Sequence, residues 1–407
     1  MLPRGWEVRA LGEIATVTSG GTPRRGNPEY WTNGTIPWIR TTEVQNCILN
    51  YEDAREFISE AGLKNSSAKL VPEGTILLAM IGQGKTRGQV ALLKFKAATN
   101  QNCASIILNE NTDPVFLFNL LLSQYETIRA LSNSAGQSNL SGQLVKQIKV
   151  TLPPLAEQKQ IARILSTWDR AIETAEKLIE NSTAQKKALM QQLLTGERRL
   201  SGYKKRWHHI PLAGIANITM GSSPNSHAYN QNGVGLPLIQ GNADIDNRVS
   251  RPRVFTAETT KECKAGDILF SVRAPVGAVS ISRHHACIGR GIAAITAKSF
   301  SSTRYLYQLL LSLEPRWAKL SQGSTFDAIN SVELKKLTVH VPSEKGEQET
   351  IARLLDLQDD NTSNLAAHLA NLQREKQSLM QQLLTGKRRV KVNKLKGGGL
   401  TSETTAA

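Results

Sequence analysis

A chain of 407 residues is long enough for two or three domains with real cores, and its 40% hydrophobic content is ordinary for a globular protein. Met1-Leu2-Pro3-Arg4 opens no charged segment followed by an apolar one, and no apolar run approaches the roughly 20 residues that cross a bilayer. A signal peptide and a membrane span are therefore not expected, while the net charge of +16 predicts attraction to polyanions.

Residues 1–152 read as a mixed α/β domain. Ile76 to Ile81 is a short buried strand entered from the turn Pro72-Glu73-Gly74, and Ala104 to Leu108 is another. Val115 to Leu131 places apolar residues at helical spacing and predicts one helix. A last strand, Ile148 to Leu152, is stopped by Pro153-Pro154.

A helix then begins near Glu157 and occupies most of 153–200. Ile161, Leu165, Trp168, Ile172, Ala175, Ile179, Ser182, Lys186, Leu189 and Leu193 follow alternating steps of four and three, which is an a/d seam. The segment returns 190 residues later: 17 of 40 positions from Glu157 to Gly196 are identical at Glu347 to Gly386, ending in Leu-Met-Gln-Gln-Leu-Leu-Thr-Gly both times. The second copy lies in 343–390. Its seam is Ile351, Leu355, Gln358, Thr362, Leu365, Leu369, Leu372, Lys376, Leu379 and Leu383, with Lys376 at the position of Lys186. A lone helix with one apolar stripe is unstable in water, so the two stripes are expected to bury each other, with Gly196 and Gly386 as C-caps.

Residues 201–342 repeat the first domain more loosely. Trp207 to Leu212 answers Trp6 to Leu11, Thr219 to Pro224 answers Thr18 to Pro23, and Leu236 to Ile239 answers Ile36 to Ile39. Residues 391–407 form a basic, then Gly/Ser/Thr-rich tail, expected to be mobile. The expected fold class is α+β: two mixed α/β domains separated by two long antiparallel helices in an intramolecular coiled coil, a pseudo-twofold tandem duplication. Charge follows this division, with 15 basic and 12 acidic residues in 1–156 but 18 and 9 in 201–346.

The search for catalytic groups comes back empty. Asn27-Pro28-Glu29-Tyr30 lacks the second proline of an amino-methyltransferase motif and reads as a loop turn. Gly82-Gln83-Gly84-Lys85-Thr86 resembles the end of a P-loop, but Ala79 stands where the first glycine is needed. Glu262-x-Lys264 and Glu333-x-Lys335 lack the preceding Pro-Asp of a nuclease site. His284, His285 and Cys287 lack a further ligand, and the four cysteines show no paired spacing, so no metal is expected and the thiols read as buried in a reducing cytoplasm.

What remains is a binding protein with loops rich in groups that suit bases and phosphates. In the first domain these are Thr22, Arg24, Arg25, Arg40, Thr41, Thr42, Gln83, Lys85, Arg87, Gln101 and Asn102. In the second they are Ser223, Asn225, Gln240, Asn242, Arg273, Arg290, Ser324 and Thr325, and the two sets fall at corresponding places.

With Leu-Pro-Pro-Leu-Ala-Glu-Gln at 152–158, Ile161-Ala162, the doubled Leu-Leu-Thr-Gly ends and Tyr30-Trp31-x-x-Gly34-x-Ile36-Pro37-Trp38, the chain resembles the specificity subunits of type I restriction–modification enzymes. The resemblance covers nearly the whole chain, departing at Val341 to Gln348, where the Pro-Pro pair is missing. It implies two target recognition domains that each read half of a bipartite duplex DNA site, and helices that act as spacer and as docking surface. It implies two methyltransferase subunits carrying S-adenosylmethionine for adenine N6 methylation. Two restriction subunits using ATP and Mg would complete the complex, and this polypeptide itself would hold no cofactor and catalyse nothing. The rival expectations are a coiled-coil scaffold and a nucleotide-binding enzyme built on Gly82–Thr86.

Overall fold

The computed structural model describes residues 2–82, 84–134, 139–322 and 328–391, apart from the side chains of 133, 134 and 318–322. The chain divides into two units, Met1–Thr174 with His368–Ala407 and Ala175–Ala367. Gln83, Ser324, Thr325 and the tail beyond Lys391 lie outside the described residues.

In the first unit Glu7–Ala10 pairs antiparallel with Lys149–Leu152, so the strand that opens the domain is closed by the one that ends it. A five-stranded sheet runs in the order Ala15–Ser19, Cys103–Leu108, Ile76–Ala79, Val90–Leu93, Cys47–Leu49. A four-stranded sheet runs Phe57–Ile58, Ile36–Ile39, Ala97–Thr99, Leu70–Val71. Ile76–Ala79 and Val90–Leu93 are buried at every position, which explains why they read as continuous apolar runs without alternation. The helix expected over 115–131 is two helices, Pro114–Ser123 and Tyr125–Ser134. Gln124 breaks it: its amide donates to both Leu120 O and Leu121 O, so the chain turns while Phe116, Leu117, Leu120, Leu121 and Ile128 stay in the core.

The second unit repeats this plan. Trp207–Pro211 pairs antiparallel with Thr338–Pro342. Six strands run Ala216–Met220, Ile292–Ala297, Ile268–Ser271, Val279–Ile281, Val249–Ser250, Ile245–Asp246, and a five-stranded sheet is built around Leu236–Ile239. The helix Thr303–Gln322 covers the core through Tyr305, Leu306, Leu309 and Leu310. Asn247 and Arg248 both take positive φ at the hairpin tip, where Arg248 forms two bonds of 2.7 and 2.9 Å to Glu314 on that helix.

The two long helices are Leu155–Thr195 and Lys345–Leu383, and each unit holds a part of both. Every expected seam position is buried or half-buried, while the intervening Leu178, Leu354 and Leu357 are exposed. In the first unit Ile161, Ala162 and Leu165 share a core with Met380, Leu383 and Leu384. In the second, Leu193 and Leu194 share one with Ile351, Ala352 and Leu355. Both pairings are antiparallel, and each fully buried leucine contributes about 1.5–3 kcal/mol. Lys186 and Lys376 enter the seam because each meets a carboxylate: Lys186 Nζ lies 2.6 Å from Asp359 Oδ1, and Lys376 pairs with Asp169.

The Glu-Gln pair near each helix start has a defined task. Gln158 accepts from the Asp113 amide at 2.9 Å and donates to Pro153 O at 2.8 Å. Gln348 accepts from the Ser302 amide at 2.9 Å and donates to Pro342 O at 2.9 Å. Beside them, buried Glu157 takes Arg389, and buried Glu347 takes Arg199. Glu344 fills the place of Pro154: its carbonyl accepts from Glu347 N and Gln348 N as that of Pro154 does from Glu157 N and Gln158 N. The second helix thus starts in register without the Pro-Pro pair. Gly196 and Gly386 have φ of +79° and +72°, and the amides of Arg198 and Arg388 close back on Gln192 O and Gln382 O at 3.0 Å each.

Candidate nucleic-acid interface

In the first unit the loop after Ser19 lies directly on the turn that follows Thr99. A Cβ on Gly20 would stand 1.8 Å from Thr99 O, so only glycine permits this approach. Gly21 N donates to Thr99 O at 2.9 Å, Asn100 N to Ile39 O at 3.0 Å, Met80 N to Asn102 O at 2.9 Å, and Leu140 N to Met80 O at 2.8 Å. Five separated pieces of chain are thereby tied together at one end of the sheets.

The second unit rebuilds the same knot. A Cβ on Gly221 would stand 2.1 Å from Gly289 O. Gly289 N donates to Ile239 O at 2.8 Å, Val272 N to Gly291 O at 2.9 Å, and Ile329 N to Val272 O at 3.0 Å. The amide after the central strand is held by a carboxylate in both: Arg40 N by Glu43 Oε2 at 3.0 Å, Gln240 N by Asp244 Oδ2 at 2.9 Å. This common frame makes Thr22 equivalent to Ser223, Gln101 to Arg290, Arg40 to Gln240, and Ile81 to Arg273.

The side chains on the frame differ. Thr22 Oγ1 donates to Gln101 Oε1 at 2.6 Å, which leaves the Gln101 amide NH2 pointing its donors elsewhere. Arg25 is exposed but engaged: its guanidinium lies 3.9 Å from the Trp31 ring centroid and bonds Glu56 at 2.5 Å. Arg40 pairs with Glu43 at 3.2 Å and with Glu56 at 2.7 Å. Thr42 Oγ1 also donates to Glu43. Two of the domain's expected DNA-binding arginines are thus neutralised by carboxylates that the sequence pattern did not associate with them. Arg24 and Lys85 are exposed, Thr41, Arg87 and Asn102 are half-buried, and Gln101 is exposed.

In the second unit Ser223, Gln240, Asn242, Arg273 and Arg290 line one cleft of about 390 Å³. Residues far apart in sequence are brought together here as a set; Asn225 is exposed outside the lining. Ser223 Oγ accepts from the Arg290 amide at 3.2 Å, and Gln240 Nε2 donates to Tyr229 OH at 3.0 Å. Ser271 completes the wall with the small residues Gly241, Ala274 and Gly291. These were not singled out in the sequence, because small residues at a cleft wall leave no chemical signature. Tyr229, the support of Gln240, was also missed; it opens the two-residue strand Tyr229–Asn230, too short to leave a periodic pattern.

The remaining motifs take ordinary places. Residues 84–88 form a turn leading straight into the strand Val90–Leu93, with no helix whose N-terminus could hold a phosphate, and Tyr125 OH donates to Lys85 O at 2.6 Å. Pro28–Tyr30 is a single 3₁₀ turn capped by Asn27. His284 Nδ1 lies 2.7 Å from Ser250 Oγ, and His285 bonds Glu262, whose carboxyl is lowered by its bonds to Thr259 and His285. Among the described residues no group of three His, Cys, Asp or Glu side chains could hold a metal ion. No described helix is long and apolar enough to cross a membrane. The buried Cys103 thiol is pushed up by burial, and Cys263 and Cys47 are raised by the same cause.

Comparison with known proteins agrees with this architecture. The family model for the type I restriction modification DNA specificity domain matches twice, over residues 3–181 and 204–374. A putative type I restriction enzyme MjaX specificity subunit of Methanocaldococcus jannaschii is 32% identical over 96% of this chain and 95% of its own length. The EcoR124I/EcoR124II specificity subunit of Escherichia coli is 29% identical over 40% of this chain and 41% of its own. Among solved structures, the HsdS subunit from Thermoanaerobacter tengcongensis is 26% identical with a TM-score of 0.52, covering 95% of this chain and 98% of that one. A chain from work on complex assembly and conformational transition of the type I R-M system gives 26% identity and a TM-score of 0.62, over 95% and 100%. The S subunit from M. genitalium, at 17% identity and a TM-score of 0.61, shares the fold.

Proposed function

Because this chain belongs to the family of type I restriction–modification specificity subunits, with two target recognition domains, we propose that it directs an adenine N6 methyltransferase to an asymmetric, bipartite duplex DNA site. The observation that carries this reading is the doubled frame: one hydrogen-bonded knot, built twice, that presents unlike side chains. A shared frame suits two half-sites met by the same approach; the unlike side chains on the loops around it suit half-sites of different sequence.

The long helices act as spacer and docking surface, packed as an intramolecular coiled coil that offers two equivalent faces to two methyltransferase subunits. Forty helical residues span roughly 60 Å, enough to hold readers in major-groove sites one turn or more apart. S-adenosylmethionine belongs to the methyltransferase subunits, and ATP and Mg to the two restriction subunits of a complete complex. This chain contributes sequence choice and geometry.

The test is a map of methylated adenines in cells with and without this protein. A two-part motif with unlike halves that disappears with the protein is expected. An identical sequence on both sides, or an unchanged map, overturns the reading. The nucleotide-enzyme alternative gains nothing from the turn at 84–88, and a pure scaffold leaves the paired loop sets without a task.

A further inference from the structure

We propose that Arg273 and Arg290 seat a backbone phosphate of the DNA, which makes the second recognition domain the electrostatic anchor of the duplex; this rests on the DNA-reading function above. Both guanidiniums line the 390 Å³ cleft, both residues are exposed, and neither side chain has a partner among the described residues. Among the described residues no carboxylate lines that cleft. An uncompensated pair of cations in a concavity is complementary to a group that is anionic and protrudes. A phosphate on the duplex rim is such a group, whereas a base edge lies recessed in a groove and is met by a side chain that projects.

The neighbouring polar groups agree in sign. Ser223 Oγ accepts from the Arg290 amide, so its hydroxyl hydrogen remains available for an anion. Gln240 spends one amide hydrogen on Tyr229, which leaves its second for the same use.

The equivalent place in the first domain lacks this pair. Its equivalents of Arg290 and Arg273 are Gln101, tied to Thr22, and the apolar Ile81. Arg40 and Arg25 of that domain are neutralised by Glu43 and Glu56. The excess of 18 basic over 9 acidic residues in 201–346, against 15 over 12 in 1–156, points the same way. Phosphate contacts release counterions, so this cleft adds a salt-sensitive contribution that the equivalent place in the first domain lacks.

The experiment measures affinity of the full chain for its target duplex, and for duplexes altered at each half-site position, between 50 and 200 mM salt. Arg273→Gln and Arg290→Gln are each expected to weaken target and altered duplexes alike. The two together should reduce the slope of log K against log salt by about 0.9, the value of one phosphate contact, and each alone by part of it. Arg290→Lys should restore most of the slope, and Arg40→Gln should leave it unchanged. A single methylphosphonate in the second half-site that weakens the parent chain but not Arg290→Gln identifies the seated phosphate. Loss of discrimination at one base pair, or an unchanged slope, overturns the proposal. Absence of any sequence preference in the parent chain instead sinks the specificity reading, and leaves the salt slopes to judge the phosphate seat.

Discussion

Gln348 Oε1 accepts a hydrogen bond from the Ser302 amide at 2.9 Å, joining the first turn of the second long helix to the start of the helix Thr303–Gln322. Its other end donates to Pro342 O, and the whole side chain is 3% exposed. Gln348→Ala would leave a buried donor and a buried acceptor unpaired, at a cost of about 1–3 kcal/mol. Urea unfolding should show the loss, and Gln158→Ala should show one of similar size. No change in either variant would remove the clamp from the list of stabilising contacts.

The lysines in the seam make a second prediction. Lys186 is held between Asp359 and the half-buried seam, and Asp359 also accepts from Gln308 at 3.0 Å. Asp359→Lys alone should destabilise by about 1–3 kcal/mol, because it places two cations together. The exchange Lys186→Asp with Asp359→Lys should recover part of that loss in a double-mutant cycle. Additive losses would mean that the pair contributes no coupling.

Ser182 offers a third. It is buried at 3% exposure and bonds Thr362 at 2.7 Å and Gln358 at 2.8 Å, whereas the repeat-equivalent positions are Leu372, Ile172 and Trp168. The same seam position is solved by hydrogen bonds in one unit and by apolar residues in the other. Ser182→Leu should therefore cost about 1–3 kcal/mol, since it removes the hydroxyl shared by Thr362, Gln358 and Asn361 and forces a larger side chain against them. Ser182→Leu combined with Thr362→Ile and Gln358→Trp should recover stability. A triple variant no better than the single one would show that the apolar solution does not transfer.

Thiol chemistry gives a fourth. Burial raises Cys103, Cys263 and Cys47, so their thiolates are scarce at neutral pH. In the native protein iodoacetamide should label Cys103, Cys263 and Cys287 very slowly, and in urea all four cysteines should react. Mass spectrometry reads the count, and rapid native labelling of Cys103 would contradict its burial.

The spacer gives a fifth. Removing seven residues from one long helix with the facing seven from the other shortens the pair by about 10 Å, or roughly 3 bp, while keeping the seam in phase. The methylated motif should lose unspecified bases between its halves and keep the halves themselves. An unchanged spacer would refute the ruler.

The repeat and its seam were legible because 3.5-residue spacing is a local signal, and Ile161, Leu165, Ile351 and Leu355 are buried as that spacing demands. The strands around Ile76 and Ala104 were legible as short apolar runs. The break at Gln124 was not, since the apolar spacing continues across it. Nor was the contact of Arg389 with Glu157, 232 positions away: a long-range ion pair has no periodicity to read. The second-domain readers converge because turns at equivalent places in the repeat stand at one sheet end. Arg25 and Arg40 could not be separated from them by residue type; their difference lies in Glu43 and Glu56.

Asp169 and Lys186 lie in the same helix, about 25 Å apart along its axis, and so can never meet each other. Among the described residues each finds its partner in the other copy of the repeat, as Glu157 does in Arg389 and Glu347 in Arg199. One repeat is thus self-complementary in the sense of a subunit in a symmetric dimer, and the second half of the chain serves the first as a fused sister protomer. Since none of these ion pairs touches the loops at the sheet ends, side chains on those loops can change without disturbing the pairing between the two copies.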